Sequence, residues 1–135
     1  MVSDKFTFCW DHYKSDVPNT LKHMWQNQEF SDVTLTTKDN YQIRAHKVVL
    51  SASSHIFHNI LTNNPHSNPL IYFNNLKSAE VNLLLKFIYL GQCEVGQDGL
   101  IDFLAAGKEL MVKGLAEEKT IDNQDTSVYQ NNKIA

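Results

Sequence analysis

At 135 residues, 42% hydrophobic and 20% charged, the chain is sized for one domain of ordinary globular composition. A net charge of −3 excludes the basic footprint that neutralises phosphates. No apolar run is long enough to cross a bilayer, and the N-terminus lacks the basic, apolar, small-residue order of a signal peptide. The expectation is an intracellular protein that contacts neither nucleic acid nor membrane by itself. Its two cysteines, Cys9 and Cys93, show no CxxC or Cys/His spacing for zinc and are expected to be reduced thiols.

In chain order, the first element is KFTFCW, where Phe6, Phe8 and Trp10 alternate with the period of a half-buried strand. They lie close to a terminus, and terminal segments are poorly ordered unless something covers them. Ser15 or Asp16 then caps a helix whose first turn tolerates Pro18 and whose Val17, Leu21 and Met24 recur at helical spacing; it ends near Asn27. FSDVTLTTKDNYQIRAH reads as a hairpin. Val33 and Leu35 alternate with Thr34 and Thr36, Asp39-Asn40 supplies a two-residue turn, and Tyr41, Ile43 and Ala45 alternate on the return.

KVVLSAS is a short helix, and a Ser53 or Ser54 cap starts another, HIFHNILTNN, with Ile56, Ile60 and Leu61 on one face. Asn63, Asn64 and Pro65 stop it. NPLIYFNN is a short strand with Ile71 and Phe73 inward; Leu70 and Tyr72 are apolar too, which calls for burial on both sides or an interface. Ser78 caps AEVNLLLKFIYL, a central helix with one stripe of Val81, Leu84, Leu85 and Ile88 and a second of Leu83, Phe87 and Leu90; Gly91 supplies its C-terminal cap. QCEV is at most a stub of strand. GLIDFLAAGKELMVKGL gives two short helices broken at Gly107 and closed by Gly114. Residues 117–135 lose apolar periodicity and read as a polar linker. Residues 1–116 thus form an α+β domain, its helices clustered around a small sheet.

Chemistry-bearing groups are few. No nucleophile sits with a base, no acids pair, and GQDGL is a loop and cap, not a phosphate cradle. His55 and His58 lack a third metal ligand at suitable spacing, and His46 reads as a structural residue between strand and helix. No enzyme, cofactor or metal is expected.

Three motifs occur in order: FSDV before the hairpin, AHKVVLSASS at the helix pair, and FIYLG before the stub strand. Together they closely resemble the BTB (POZ) domain over residues 6–116. KFTFCWDHY is similar to the F-x-L-R-W-N signature of the Tramtrack-type BTB domains of arthropod transcription factors, with Cys9 where that family has Arg. TNNPHSNPLIYF resembles its N-P-x-x-H-P segment, with Asn68 in place of His.

The resemblance implies the BTB fold, a small mixed sheet with clustered helices, and an N-terminal strand swapped in a homodimer. Phe6, Phe8 and Trp10 would then be covered by a second copy, with Val17, Leu21, Met24 and Trp25 of the first helix meeting their symmetry mates. Burying the three rings is worth about 5 to 9 kcal/mol gross per protomer before ordering costs. Asp32, which by itself could merely cap or turn the chain, is implied to pair with Lys47 in a charged pocket beneath the dimer groove. Leu70 and Tyr72 are the expected contacts for hexamers or other multimers of dimers. The implied partners are the chain itself, related BTB domains, and corepressors or chromatin proteins, in the nucleus, with DNA contacted by a domain outside this chain. The rival reading is a substrate adaptor that recruits a cullin ubiquitin ligase, but adaptors usually continue into a helical box where this chain turns polar. The tetramerisation domain of potassium channels shares the topology without the N-terminal strand.

Overall fold

A computed structural model describes residues 3–116; the expected linker, 117–135, lies outside them. The hairpin is built where alternation placed it. β1 (Val33–Thr36) runs antiparallel to β2 (Gln42–Ala45), with Val33 opposite Ala45 and Leu35 opposite Ile43. Val33, Leu35 and Ala45 are buried on the inner face. The connection is a three-residue loop, Lys38 to Asn40, and not the expected two-residue turn. Thr37 N–H donates to the Tyr41 carbonyl at 3.0 Å and Asn40 N–H to the Thr37 carbonyl at 2.9 Å. Asn40 takes the left-handed position at φ 66°, which asparagine tolerates.

α1 spans Tyr13–Gln26, starting ahead of the expected Ser15 or Asp16 cap. Those residues are engaged otherwise: the Ser15 hydroxyl donates to the His12 carbonyl at 3.1 Å, and the Asp16 carboxylate accepts from the Trp10 indole N–H at 2.8 Å. Pro18 consequently sits inside the helix, past its first turn, on an exposed face where the carbonyl it cannot pair meets water.

α2 (Lys47–Ser53) and α3 (His55–Asn63) follow as a pair, and Ser54 is the cap between them, its hydroxyl accepting from Phe57 N–H at 3.1 Å. α3 buries Phe57 and Leu61, whereas Ile60 faces outward, so its inner face is turned from the one the sequence suggested. β3 (Leu70–Tyr72) pairs parallel with β1, giving a mixed sheet of order β2-β1-β3 with β3 at an edge. Its buried follower Phe73 meets Phe57 edge-on at 6.1 Å.

α4 (Ser78–Leu90) is the central helix, packed on α1, α2 and α5, with Val81, Leu84, Leu85 and Tyr89 buried. Ser78 is its first residue and not its cap. The Ser78 hydroxyl and N–H both donate to the Asp39 carboxylate on the hairpin loop, at 2.7 and 2.9 Å, and the Glu80 carboxylate accepts from Lys77 N–H. Gly91 ends the helix at φ 80°. Within a single chain QCEV forms no strand: Cys93 and Val95 pack against the core, while Gln92 and Glu94 face outward.

A 3₁₀ turn at Gln97–Gly99 leads into α5 (Leu100–Glu109), one helix that passes through Gly107 without a break. Glycine is needed there for proximity: a Cβ would lie 2.7 Å from Leu115 Cδ1. The chain then turns back, Val112 bridging to Ser54 and Lys113 N–H donating to the Ser53 carbonyl at 2.8 Å. Among the described residues no helix is long and apolar enough to cross a membrane.

Candidate interaction surfaces

The N-terminal aromatics lie in the open. Residues 3–10 form neither helix nor strand within the chain, and Phe6 and Phe8 are 81% and 93% exposed. Trp10, 58% exposed, is steadied by its bond to Asp16 and by the edge of Tyr13, ring centres 5.2 Å apart. No residue of α1 is buried; Val17, Leu21, Met24 and Trp25 are each half-covered, the helix resting on α4. Trp25, expected at a symmetry axis, stacks on Tyr89 within its own chain at 4.9 Å and 10° between planes.

Tyr89 holds the seam between α1, the sheet and α2. Its hydroxyl accepts from His46 N–H at 3.0 Å and lies 2.7 Å from His46 Nδ1, while His46 Nε2 is 2.6 Å from the Glu29 carbonyl. A carbonyl can only accept, so Nε2 carries the hydrogen and Nδ1 accepts from the tyrosine. His46 is therefore structural, joining strand, helix and loop. Burial pushes the Tyr89 phenol up to about 12.

Asp32 and Lys47 are brought together, but not as an ion pair of side chains. Asp32 Oδ1 accepts from the Lys47 main-chain N–H at 2.8 Å, capping α2 from 15 residues upstream. The Lys47 ammonium reaches instead to the carbonyl of His66.

On β3, Leu70 and Tyr72 are 58% and 55% exposed, whereas Ile71 is half-buried and Phe73 buried. The outward residues thus stand uncovered at a sheet edge. Their cross-strand neighbours on β1 are Thr34 and Thr36.

Two further surfaces escaped the sequence reading. Val48 on α2 is 77% exposed, and with Ala52, Pro18, Leu21 and Ile88 it lines a groove of about 400 Å³ beside α1. Its signal was available: a seven-residue helix with adjacent Val48 and Val49 presents an apolar side chain on both faces. Also beside α1, Pro18, Lys22, Lys86, Tyr89 and Gln92 to Glu94 line a second groove of about 600 Å³. Among the described residues, the main chain of residues 92–95 makes no hydrogen bond with other main-chain groups. Burial also raises the Cys93 thiol above its ordinary value.

The fold is similar to that of the BTB domain of zebrafish PATZ1, with a TM-score of 0.73 and 18% identity, covering 83% of this chain and 92% of that one. The sequence matches the BTB/POZ domain over residues 21–127, and the chain belongs to that family. It is accordingly a protein–protein interaction module and not an enzyme; BTB domains dimerise and pair with one another. Among relatives from Drosophila melanogaster, it is 34% identical to Protein bric-a-brac 2 over 84% of its length and 31% identical to Protein tramtrack, alpha isoform, over 87%. It spans only 10% and 14% of those two proteins. Against Longitudinals lacking protein-like it is 35% identical, covering 87% of this chain and 92% of that one.

Proposed function

We propose that this domain assembles a nuclear transcription or chromatin regulator, first as an obligate homodimer and then as hexamers or other multimers of dimers. In the dimer, residues 5–10 of each copy cross to the other, and the half-covered faces of α1, with Val48 and Ala52 of α2, meet across the two-fold axis. The acceptor for the crossing segment is the stretch 92–95, whose main chain is unbonded and whose neighbouring groove runs along α1. The observation that carries this reading is the pairing of three exposed alternating aromatics with a fourteen-residue helix that buries none of its residues. Large exposed apolar surface of this kind marks an association site. The second contact, between dimers, falls on Leu70 and Tyr72. Related BTB domains with compatible faces form mixed pairs, and corepressors or chromatin proteins dock on the assembled particle. DNA contact falls to another part of the polypeptide, in keeping with the net charge of −3.

Multi-angle light scattering on the purified chain at about tens of micromolar, a range where obligate assemblies persist, tests the scheme. The expected mass is a multiple of the dimer. A particle that runs as a monomer would overturn the proposal, and a particle that remains a dimer at every concentration would remove its second interface.

A further inference from the structure

Lys47 is oddly placed. It opens α2, and the first turn of a helix carries partial positive charge that disfavours an ammonium. The nearby carboxylate, Asp32, is committed to the Lys47 main-chain N–H at 2.8 Å. The half-buried side chain reaches away from its own helix to the carbonyl of His66, 19 residues on.

His66 lies in the exposed segment 64–69 that joins α3 to β3. That segment is tied at its start, where Asn64 Nδ2 donates to the Ile60 carbonyl at 2.7 Å, and at its end, where Thr34 N–H donates to the Pro69 carbonyl at 3.0 Å. Both ties are to elements the segment already joins or pairs with. The Lys47 contact fastens its middle to α2. Leu70 follows Pro69 directly, so the path from Lys47 through His66 to Leu70 is only a few residues of chain.

We infer that Lys47 is a positioning residue for the assembly surface on β3: it holds the 64–69 segment so that Leu70 and Tyr72 are presented in one arrangement. The inference rests on the reading of β3 as the contact between dimers. β3 is three residues long and bonded along one side only, to β1, so little else fixes its outer side chains. A surface ordered in advance pays no ordering cost when it associates, whereas a loosened one does. The carbonyl of exposed His66 would find water if the ammonium were withdrawn, so folding itself has little stake in the contact.

The test compares the parent 135-residue chain with Lys47→Met, Lys47→Arg and the double substitution Leu70→Glu with Tyr72→Glu, by sedimentation across a concentration series and by thermal melting. Lys47→Met keeps the apolar stem and removes the donor. It is expected to leave the dimer and its melting midpoint close to the parent's while weakening association between dimers about tenfold; Lys47→Arg restores that association. If the double substitution reduces the particle to a dimer but Lys47→Met assembles like the parent, Lys47 has no positioning role. If Lys47→Met lowers melting and breaks the dimer as well, Lys47 is a general structural residue and the inference is equally overturned. A parent that is only a dimer, or a double variant that keeps the parent's mass, sinks the β3 reading itself and the inference with it.

Discussion

Residues 3–30 and residues 31–116 are finished to different degrees. Among the described residues, every buried one lies between Val33 and Leu115, whereas α1 and residues 3–12 contain none. The earlier part does not lack large apolar side chains: Phe6, Phe8, Trp10, Val17, Leu21, Met24 and Trp25 are of the kinds that fill the core. They differ in whether one chain can supply both sides of the contact. The later region closes on itself through α4, whereas the earlier one offers half an interface. In the dimer proposed above, a two-fold partner presenting the same surface supplies the other half. Stability of the body is then expected to be a property of the chain, and stability of residues 3–30 a property of its concentration.

The largest effect that would break this comparison comes from Phe8→Ser combined with Trp10→Ser. Two rings that bury on dimerisation are worth about 3 to 6 kcal/mol gross per protomer, and a symmetric dimer loses that twice. The variant should fall to a monomer in light scattering and lose the concentration dependence of its melting midpoint, while keeping the circular dichroism of the helical body. A variant that retains the parent's mass would mean that these rings are not covered by another copy.

Next in size is Leu85→Ala. Leu85 is 1% exposed at the centre of α4, and emptying such a site costs about 2 to 5 kcal/mol. The loss should be the same at every protein concentration, because the cavity lies within one chain. Leu21→Ala, on half-covered α1, should instead cost more as the protein is diluted. Equal, concentration-independent losses at both positions would erase the distinction between the two regions.

How much of this was legible in the sequence follows the same division between local and distant causes. Periodicity and turn chemistry located the hairpin, the Ser54 cap, the Gly91 stop and the inward Ile71 and Phe73, because each depends on residues within a few positions. What was missed depends on residues far along the chain. Gly107 looks like a helix breaker until Leu115 is seen lying against it. Ser78 looks like a cap, but its partner is Asp39, 39 residues earlier. Asp32 and Lys47 were expected as opposite charges; the carboxylate satisfies a helix N–H, and the ammonium holds a loop. The exposed α2 face at Val48 was visible in principle, yet nothing local says which of two adjacent valines looks outward.

A smaller, body-internal effect is expected from Tyr89→Phe. It removes one oxygen and leaves His46 N–H and Nδ1 without their partner in a buried site, a loss of about 1 to 3 kcal/mol. The ring and its stack on Trp25 remain, so association should be untouched. The parent's phenol also has a pH signature. Its folded value, about 12, lies above the ordinary tyrosine value of about 10, so the folded state favours the protonated form. That contribution is complete below about 10 and disappears as the pH rises through about 12. Because burial is what raises the value, parent and variant should converge in stability during alkaline titration, and a gap that widens instead would contradict the burial of the phenol.

The smallest expected effect belongs to Asp39, where the hairpin loop meets α4. The Thr37 hydroxyl donates to its carboxylate at 2.6 Å, and the Ser78 hydroxyl and N–H add bonds at 2.7 and 2.9 Å. With the Thr37 bond the largest cause, these hold the carboxyl at about 2, below the usual carboxylate range. A folded value below the unfolded one means stability that is present above the unfolded value, about 4, and lost as the pH falls through about 2. The group is fully exposed, so solvent screens the effect. Asp39→Asn should lower the melting midpoint slightly at neutral pH, by an amount independent of protein concentration, since both partners belong to the body. The difference between parent and variant should shrink as the pH falls from about 4 and vanish near 2. A difference that stays constant through that window would show that the charge on Asp39 is not what fastens the loop to α4. A difference that grows on dilution would place this contact, unlike the rest of the body, under the control of the partner.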